Sequence, residues 1–268
     1  MREAVPSEFE ADLQKMAAYQ AEFARYNRRR KAVFRRLFQC YHRLEVSGLE
    51  NIPDGAALIA ANHGGSLDLD ILALSDFCHP HRPIHVLITV NWHYLNSAWG
   101  RYWVGGGIPL WTRGGIRYEY LDPYLQAGGS QFPGLAAIFP EGNSGTFQQR
   151  HLLRTFYSGV VRIALRYQVP IVPAATVGFQ KACPIFLEIE RDHAPSDPVI
   201  ASLIPFPCKL KVEFGPAFRL EKYYGRSLTR AEENWIANQI VRPRVAEVLA
   251  RHARTVLADA KVEMKGPA

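Results

Sequence analysis

Apolar positions along the chain follow three successive patterns. Residues 7–45 contain no Gly or Pro after Pro6, and Phe23, Tyr26, Phe34, Leu37, Phe38 and Tyr41 recur mostly at spacings of three and four. That period predicts an amphipathic helix with one aromatic face. From residue 46 the period changes. Short, largely apolar runs at Ala56–Ala61, Ile84–Val90 and Leu135–Phe139 read as buried strands, and Val169–Val177 and Leu210–Phe214 also read as strands. Helical stretches at Leu67–Phe77 and Phe156–Tyr167 lie between them. Beyond residue 226 the helical period returns over 227–262. Thr229 and Glu232 form a capping-box pair there, and Pro243 is expected to kink or split the helix.

Buried strands alternating with helices predict an α/β fold. We expect a mixed, largely parallel central sheet flanked by helices, with an N-terminal amphipathic helical segment and C-terminal helices. The organisation that follows is a basic helical segment over 1–45, an α/β domain over 46–220, and helices over 221–268 packed on the same domain. In such sheets the reactive groups sit on loops at strand ends.

Charge sharpens the first segment. The chain has 268 residues and a formal net charge of +7. Arg25, Arg28, Arg29, Arg30, Lys31, Arg35, Arg36 and Arg43 fall in a stretch without an acid. Such a helix either docks on the domain with its arginines in water, or lies on an anionic membrane; both can hold at once. Arg28, Arg29, Arg30, Lys31, Arg35 and Arg36 are the candidate membrane-binding residues. The N-terminus carries acids where a signal peptide needs an apolar stretch, and no run of about 18 apolar residues suggests a transmembrane helix. Four cysteines without CxxC spacing fit a reduced compartment. The expected location is cytoplasmic, peripheral to the inner face of a membrane.

Four segments carry candidate chemistry. In Asn62-His63-Gly64-Gly65-Ser66-Leu67-Asp68, a histidine follows a strand and precedes a helix. Asp68 can reach back to hold the imidazole as a general base needs, with Asp70 as a competing partner. In Phe139-Pro140-Glu141-Gly142-Asn143-Ser144-Gly145, a buried strand ends in a small-residue loop whose backbone N–H groups suit an anion, although the same residues make ordinary turns. Arg113 stands among glycines after Gly107-Ile108-Pro109 and suits a phosphate or carboxylate. Val169-Pro170-Ile171-Val172-Pro173 suggests an edge or strand-entry position near a pocket.

In this order and spacing the four segments resemble the glycerophospholipid acyltransferase family, over roughly residues 45–220. NHxxxxD matches Asn62–Asp68, FPEG matches Phe139–Gly142, the Gly…Arg element matches Gly107–Arg113, and VPIVP matches Val169–Pro173. The resemblance implies O-acyl transfer from an acyl thioester, on coenzyme A or acyl carrier protein, to the hydroxyl of a lysophospholipid. No cofactor is bound and no acyl-enzyme forms. It implies His63 as general base, Asp68 as its orienting carboxylate, Arg113, Glu141, Gly142 and Asn143 as substrate-binding residues, and Pro173 at the donor pocket. Asn143-Ser144-Gly145 stands where phosphatidate-making members carry Thr-Arg-Ser, and Thr112 where Asp is common. A glycolipid or other hydroxylated lipid therefore stays open as acceptor.

Other chemistries fit less well. Cys78, His79, His81, His85 and His93 lie close together but lack a zinc-type spacing, so no metal is expected. Gly142-Asn143-Ser144-Gly145 is not GxSxG, the signature of a serine hydrolase. A membrane-binding module that has lost catalysis would not need the His63/Asp68 pair. No recognition-helix or RNP-like pattern accompanies the basic charge, so nucleic acid is not an expected partner.

Overall fold

The computed structural model describes residues 31–79, 81–89, 107–110, 116–126, 134–191, 194–259 and 262–267. Eleven strands run in chain order among them: Glu45–Ser47 (β1), Ala57–Ala61 (β2), His85–Thr89 (β3), Ile108–Leu110 (β4), Leu135–Ile138 (β5), Leu152–Leu153 (β6), Ile171–Val177 (β7), Ile185–Arg191 (β8), Ala194–Ala201 (β9), Lys211–Phe214 (β10) and Val256–Leu257 (β11). Seven form one sheet in the order β1-β10-β7-β2-β5-β3-β4. Its pairs are parallel except β10 with β7. The fold is α/β with a mixed, mostly parallel sheet and flanking helices.

β2 sits at the centre between β5 and β7 and is buried throughout. Its side chains alternate between two cores. Ala57, Ile59 and Ala61 face one with Leu72 and Leu74 of the following helical segment. Leu58 and Ala60 face the other with Val160 and Ile163 of the helix Gly159–Tyr167. A strand covered on both faces must be apolar at every position, so its sequence runs unbroken. The C-terminal helical residues Ile236, Ala237, Val241 and Val245 join this second core.

Three expectations change in detail. The helix after residue 226 ends at Ala250, not near 262, and Val256–Leu257 pairs with Leu152–Leu153 instead. Pro243 does not break it. Arg230–Ile236 and Arg242–Ala250 are joined through a π-helical turn, Ala237–Val241, where the Arg242 N–H reaches the Ala237 carbonyl. The widened turn places Pro243 at a first-turn position, where no N–H is required. The capping box of Thr229 and Glu232 is present.

Pro173 is the third. It lies in β7, an interior strand, rather than at an edge. Its carbonyl accepts from Gly215 N at 2.7 Å, just past the end of β10. The N and O of one strand residue point the same way, so the missing N–H falls where the β10 ladder has stopped.

At the N-terminal end residues 31–36 are helical and run into a π-helical turn, Leu37–Tyr41. Phe38 is fully buried, 4.8 Å from the Phe77 ring, while Arg35 and Arg36 are exposed. The described part of this segment thus docks on the domain and presents its arginines to solvent. Arg28, Arg29 and Arg30 lie outside the described residues.

Candidate active site

β2, β5 and β7 end on the same side of the sheet, and the candidate residues gather there. Asn62, the first residue after β2, fixes the spacing to β7. Its side chain donates to the Thr176 carbonyl at 3.0 Å and accepts from Thr176 N at 2.8 Å. Thr176 Oγ1 donates to the Asn62 carbonyl at 2.7 Å. His63 follows on this clamped backbone. The chain then turns sharply. Gly65 has φ +86° and passes so close to Phe179 that a Cβ would lie 2.6 Å from its carbonyl oxygen. Ser66 anchors the turn by donating to the carbonyls of Cys183 and Ser202.

Leu67 and Asp68 are both left-handed, with φ of +62° and +46°. For Leu67 that conformation costs about 1–2 kcal/mol, whereas an aspartate such as Asp68 adopts it more readily. The helix Leu69–Leu72 begins only after them, which carries Asp70 inward. His63 Nδ1 lies 2.6 Å from Asp70 Oδ2, and the Asp70 side chain is fully buried. The same oxygen accepts from Gly64 N at 2.9 Å, and Oδ1 accepts from Ile71 N at 2.9 Å. Asp68, expected to hold the ring, stays 3.9 Å away with Oδ1 near Nε2. The carboxylate bonded to the imidazole is therefore that of Asp70. The left-handed Leu67–Asp68 pair precedes the helix, so Asp68 stays near Nε2 while Asp70, in the first helical turn, reaches Nδ1.

Glu141 completes the support. It follows β5 on the loop Pro140–Gly145, is buried, and accepts from His63 N at 2.9 Å and Arg154 N at 2.8 Å. Both oxygens thus hold backbone, so the structure gives Glu141 a positioning geometry. The Phe139 ring stacks on the imidazole at 4.4 Å. Burial pushes the Glu141 carboxyl up to about 7, against the pull of its two N–H donors. For His63, burial disfavours the imidazolium, but Asp70 in contact, with Asp68 and Glu141 nearby, outweighs it and lifts the ring to about 9. With Nδ1 bonded to a carboxylate, the neutral ring keeps its proton there and offers Nε2 as the base.

A cavity of about 310 Å³ adjoins His63 and Glu141. Leu152, Val177, Leu249 and Ala253 give it an apolar wall, and Arg150, His151, Lys181, Lys209 and His252 a basic one. Lys181 is exposed on this rim. Lys209 is ion-paired with Glu45, and the His252 ring is hydrogen-bonded to Glu213. Arg150 stacks over the Phe147 ring. An apolar wall beside cations suits a ligand with a hydrocarbon portion and an anionic group.

Of the expected site residues, His63 and Glu141 meet at this cavity. Gly142 and Asn143 lie on the adjoining loop and do not line it. Pro173 packs within the sheet, beside Gly215. Arg113 lies outside the described residues. Asp70, Lys181, Arg150 and His252 were not singled out for this site from sequence beyond Asp70's rivalry with Asp68. The last three reach the cavity from segments remote in the chain, and no local pattern marks them. Cys78 and His85 are buried, and the His79 ring accepts from the backbone of Arg82. Among the described residues no three such side chains could hold a metal ion. No helix among them is long and apolar enough to cross a membrane.

A model of the Acyltransferase family matches residues 43–177, which hold both the histidine turn and the Glu141 loop. The chain belongs to the Acyltransferase family. It is 32% identical over 206 residues to an uncharacterized protein of Mycobacterium tuberculosis, which covers 69% of this chain and 54% of that one. An uncharacterized protein of Mycobacterium leprae is 31% identical over 199 residues, covering 66% and 51%. The chain thus spans about half the length of the curated relatives it matches. Among solved structures it is similar to the crystal structure of the 1-acyl-sn-glycerophosphate (LPA) acyltransferase PlsC from Thermotoga maritima. The TM-score is 0.49 at 17% identity, covering 92% of this chain and 94% of that one.

Proposed function

We propose that this chain is an O-acyltransferase that moves a fatty acyl group from an acyl thioester to a hydroxyl of a lysophospholipid. The observation that carries the reading is the His63 ring, bonded through Nδ1 to buried Asp70 and set beside a cavity with basic and apolar walls. Nε2 takes the proton of the acceptor hydroxyl as its oxygen attacks the thioester carbonyl. The tetrahedral adduct then collapses, the C–S bond breaks, and the imidazolium returns the proton to the leaving thiolate. Asp70 fixes the tautomer and Glu141 fixes the backbone of the base. The donor is acyl-CoA or acyl carrier protein, used as a substrate. The exposed Arg35 and Arg36, with Arg28, Arg29, Arg30 and Lys31 in the same segment, support attachment to the cytoplasmic face of an anionic membrane.

Mass spectrometry of products tests the reading directly, after incubation with acyl-CoA or acyl carrier protein and a panel of lysolipids and glycolipids. A new ester on a lysophospholipid is expected. No ester on any lipid alcohol would end the proposal. Acylation only of an uncharged glycolipid would move it to a non-phosphate acceptor, the reading favoured by Asn143-Ser144-Gly145 after FPEG.

The basic rim makes a sharper prediction. A charge-assisted contact to phosphate contributes about 1.5–3 kcal/mol. Lys181→Ala is therefore expected to raise KM for lysophosphatidic acid about tenfold or more with little change in kcat. KM for an uncharged acceptor should not move. Arg113→Ala is expected to act in the same direction.

The pH profile is a further expectation. Only the neutral ring accepts a proton, and His63 is lifted to about 9. The kcat/KM should therefore climb as pH rises and level off only above about 9. Asp70→Asn removes the carboxylate that raises the ring, and its inflection should fall to lower pH. An unchanged protein already on its plateau at about pH 7 would contradict this electrostatic picture.

A further inference from the structure

β8 and β9 pair with each other outside the seven-stranded sheet, with shifts of register along the ladder. Ile185 and the Glu188 side chain turn inward, whereas Phe186, Leu187 and Ile189 face solvent. The exposed surface continues past β9. Leu203 and Ile204 are 77% and 75% exposed, and Phe206 is half exposed. Large apolar side chains left in water in such number mark an interaction surface.

This surface is held firmly. Ser202 N donates to the Pro184 carbonyl at 2.9 Å, and Phe206 N to the Ala182 carbonyl at 2.7 Å. Tyr41 Oη donates to the Pro205 carbonyl at 2.9 Å, which ties the segment to the helix bearing Arg35 and Arg36. It is also joined to the candidate active site. Ser66, in the His63 turn, donates to the Ser202 carbonyl at 2.6 Å, and Arg154, whose backbone holds Glu141, is ion-paired with Glu188. Cys208 and Lys209, just beyond Phe206, line the cavity itself.

We propose that Leu203–Phe206, with the outward side chains of β8, inserts into the interface of an anionic lipid bilayer and sets the mouth of the His63 cavity at the membrane surface. Charge selects this occupant. Exposed Arg35, Arg36 and Arg43 lie on the segment that Tyr41 ties to Pro205, beside the apolar stretch, the arrangement that places hydrocarbon below the headgroups and cations among them. The proposal concerns docking and holds whichever hydroxyl is acylated.

The test uses the full chain carrying Leu203→Gln and Ile204→Gln together, floated with vesicles of phosphatidylglycerol and phosphatidylcholine. Both side chains are solvent-exposed, so the melting temperature should not change. Losing two inserted aliphatic side chains should weaken vesicle binding at least about tenfold. The loss should persist in high salt, because apolar insertion is not screened. A charge control, Arg35→Gln with Arg36→Gln, should lose binding only at low salt. In a second variant, Ile204→Trp, brominated-acyl lipids should quench fluorescence beyond the level of the unchanged protein. Three results would each overturn the proposal: no vesicle binding by the unchanged protein, equal binding by the double glutamine variant, or an effect of that variant confined to self-association in sedimentation velocity.

Discussion

Alanine at position 63 is expected to lower kcat by roughly 10²–10⁴-fold, the range lost when a positioned general base is removed. The fold should survive. His63 lies in a turn, its side chain is 13% exposed, and the backbone N–H that reaches Glu141 is kept by alanine. Circular dichroism and a melting curve check the fold, and thiol release from the acyl donor checks the rate. The loss should reside in kcat with little change in donor KM, because the ring meets the reacting hydroxyl and not the donor's remote parts. A His63→Ala protein that turns over near the normal rate would remove the mechanism.

The second large effect separates two neighbouring carboxylates. Asp70→Asn should cut kcat severely, on the order of 10²–10⁴-fold, and Asp68→Asn much less. Asp70 accepts three hydrogen bonds, from His63 Nδ1, Gly64 N and Ile71 N. An amide there keeps one acceptor oxygen and turns an NH₂ group toward donors. The ring loses the partner that fixes its tautomer, and a buried donor left without a partner costs about 1–3 kcal/mol. Asp70→Asn should therefore also lower the melting temperature. Asp68 lies 3.9 Å from Nε2 with its side chain 25% exposed, so its replacement should leave stability nearly unchanged. If Asp68→Asn proves the more damaging, the bonding at the histidine turn is wrongly assigned.

These pairs mark where the sequence was legible. β2, β5 and β7 announced themselves because burial on both faces forces unbroken apolar runs. β1 and β4 have three residues each, too few to show a period. β8 and β9 escaped because Pro195 and Pro198 argue against a strand, and the exposed Phe186, Leu187 and Ile189 of β8 show no alternation of buried and exposed positions. The helix spanning Pro243 depends on a π-helical turn that no propensity announces. At the candidate site, His63 and Glu141 were readable from local motifs. The choice between Asp70 and Asp68 was not, since it turns on two consecutive left-handed residues, Leu67 and Asp68, and non-glycine residues visit that conformation singly rather than in succession. The basic rim was equally hidden, because Arg150, Lys181 and His252 meet only through the fold.

The double grip of Glu141 has a consequence for redesign. By holding Arg154 N, it closes the base of the loop 142–153, and Tyr157 N bonded to the Pro140 carbonyl at 2.9 Å closes it again one step outward. From the opposite side Gln180 donates to the Ser144 carbonyl at 3.0 Å. A loop pinned at its neck can change length cheaply, at about 0.6 kcal/mol for each doubling. Its interior carries Arg150 and His151 to the cavity, while the neck belongs to the histidine support. The two are separable parts. Exchanging residues 143–151 for a segment of different length and charge should retune which headgroup is admitted and leave the proton-transfer apparatus intact. Under the proposed acyl transfer, the share of headgroup recognition that Arg150 and His151 supply is expected to be graftable, carried on a cassette whose ends are already fastened, while Lys181 stays with the fixed frame.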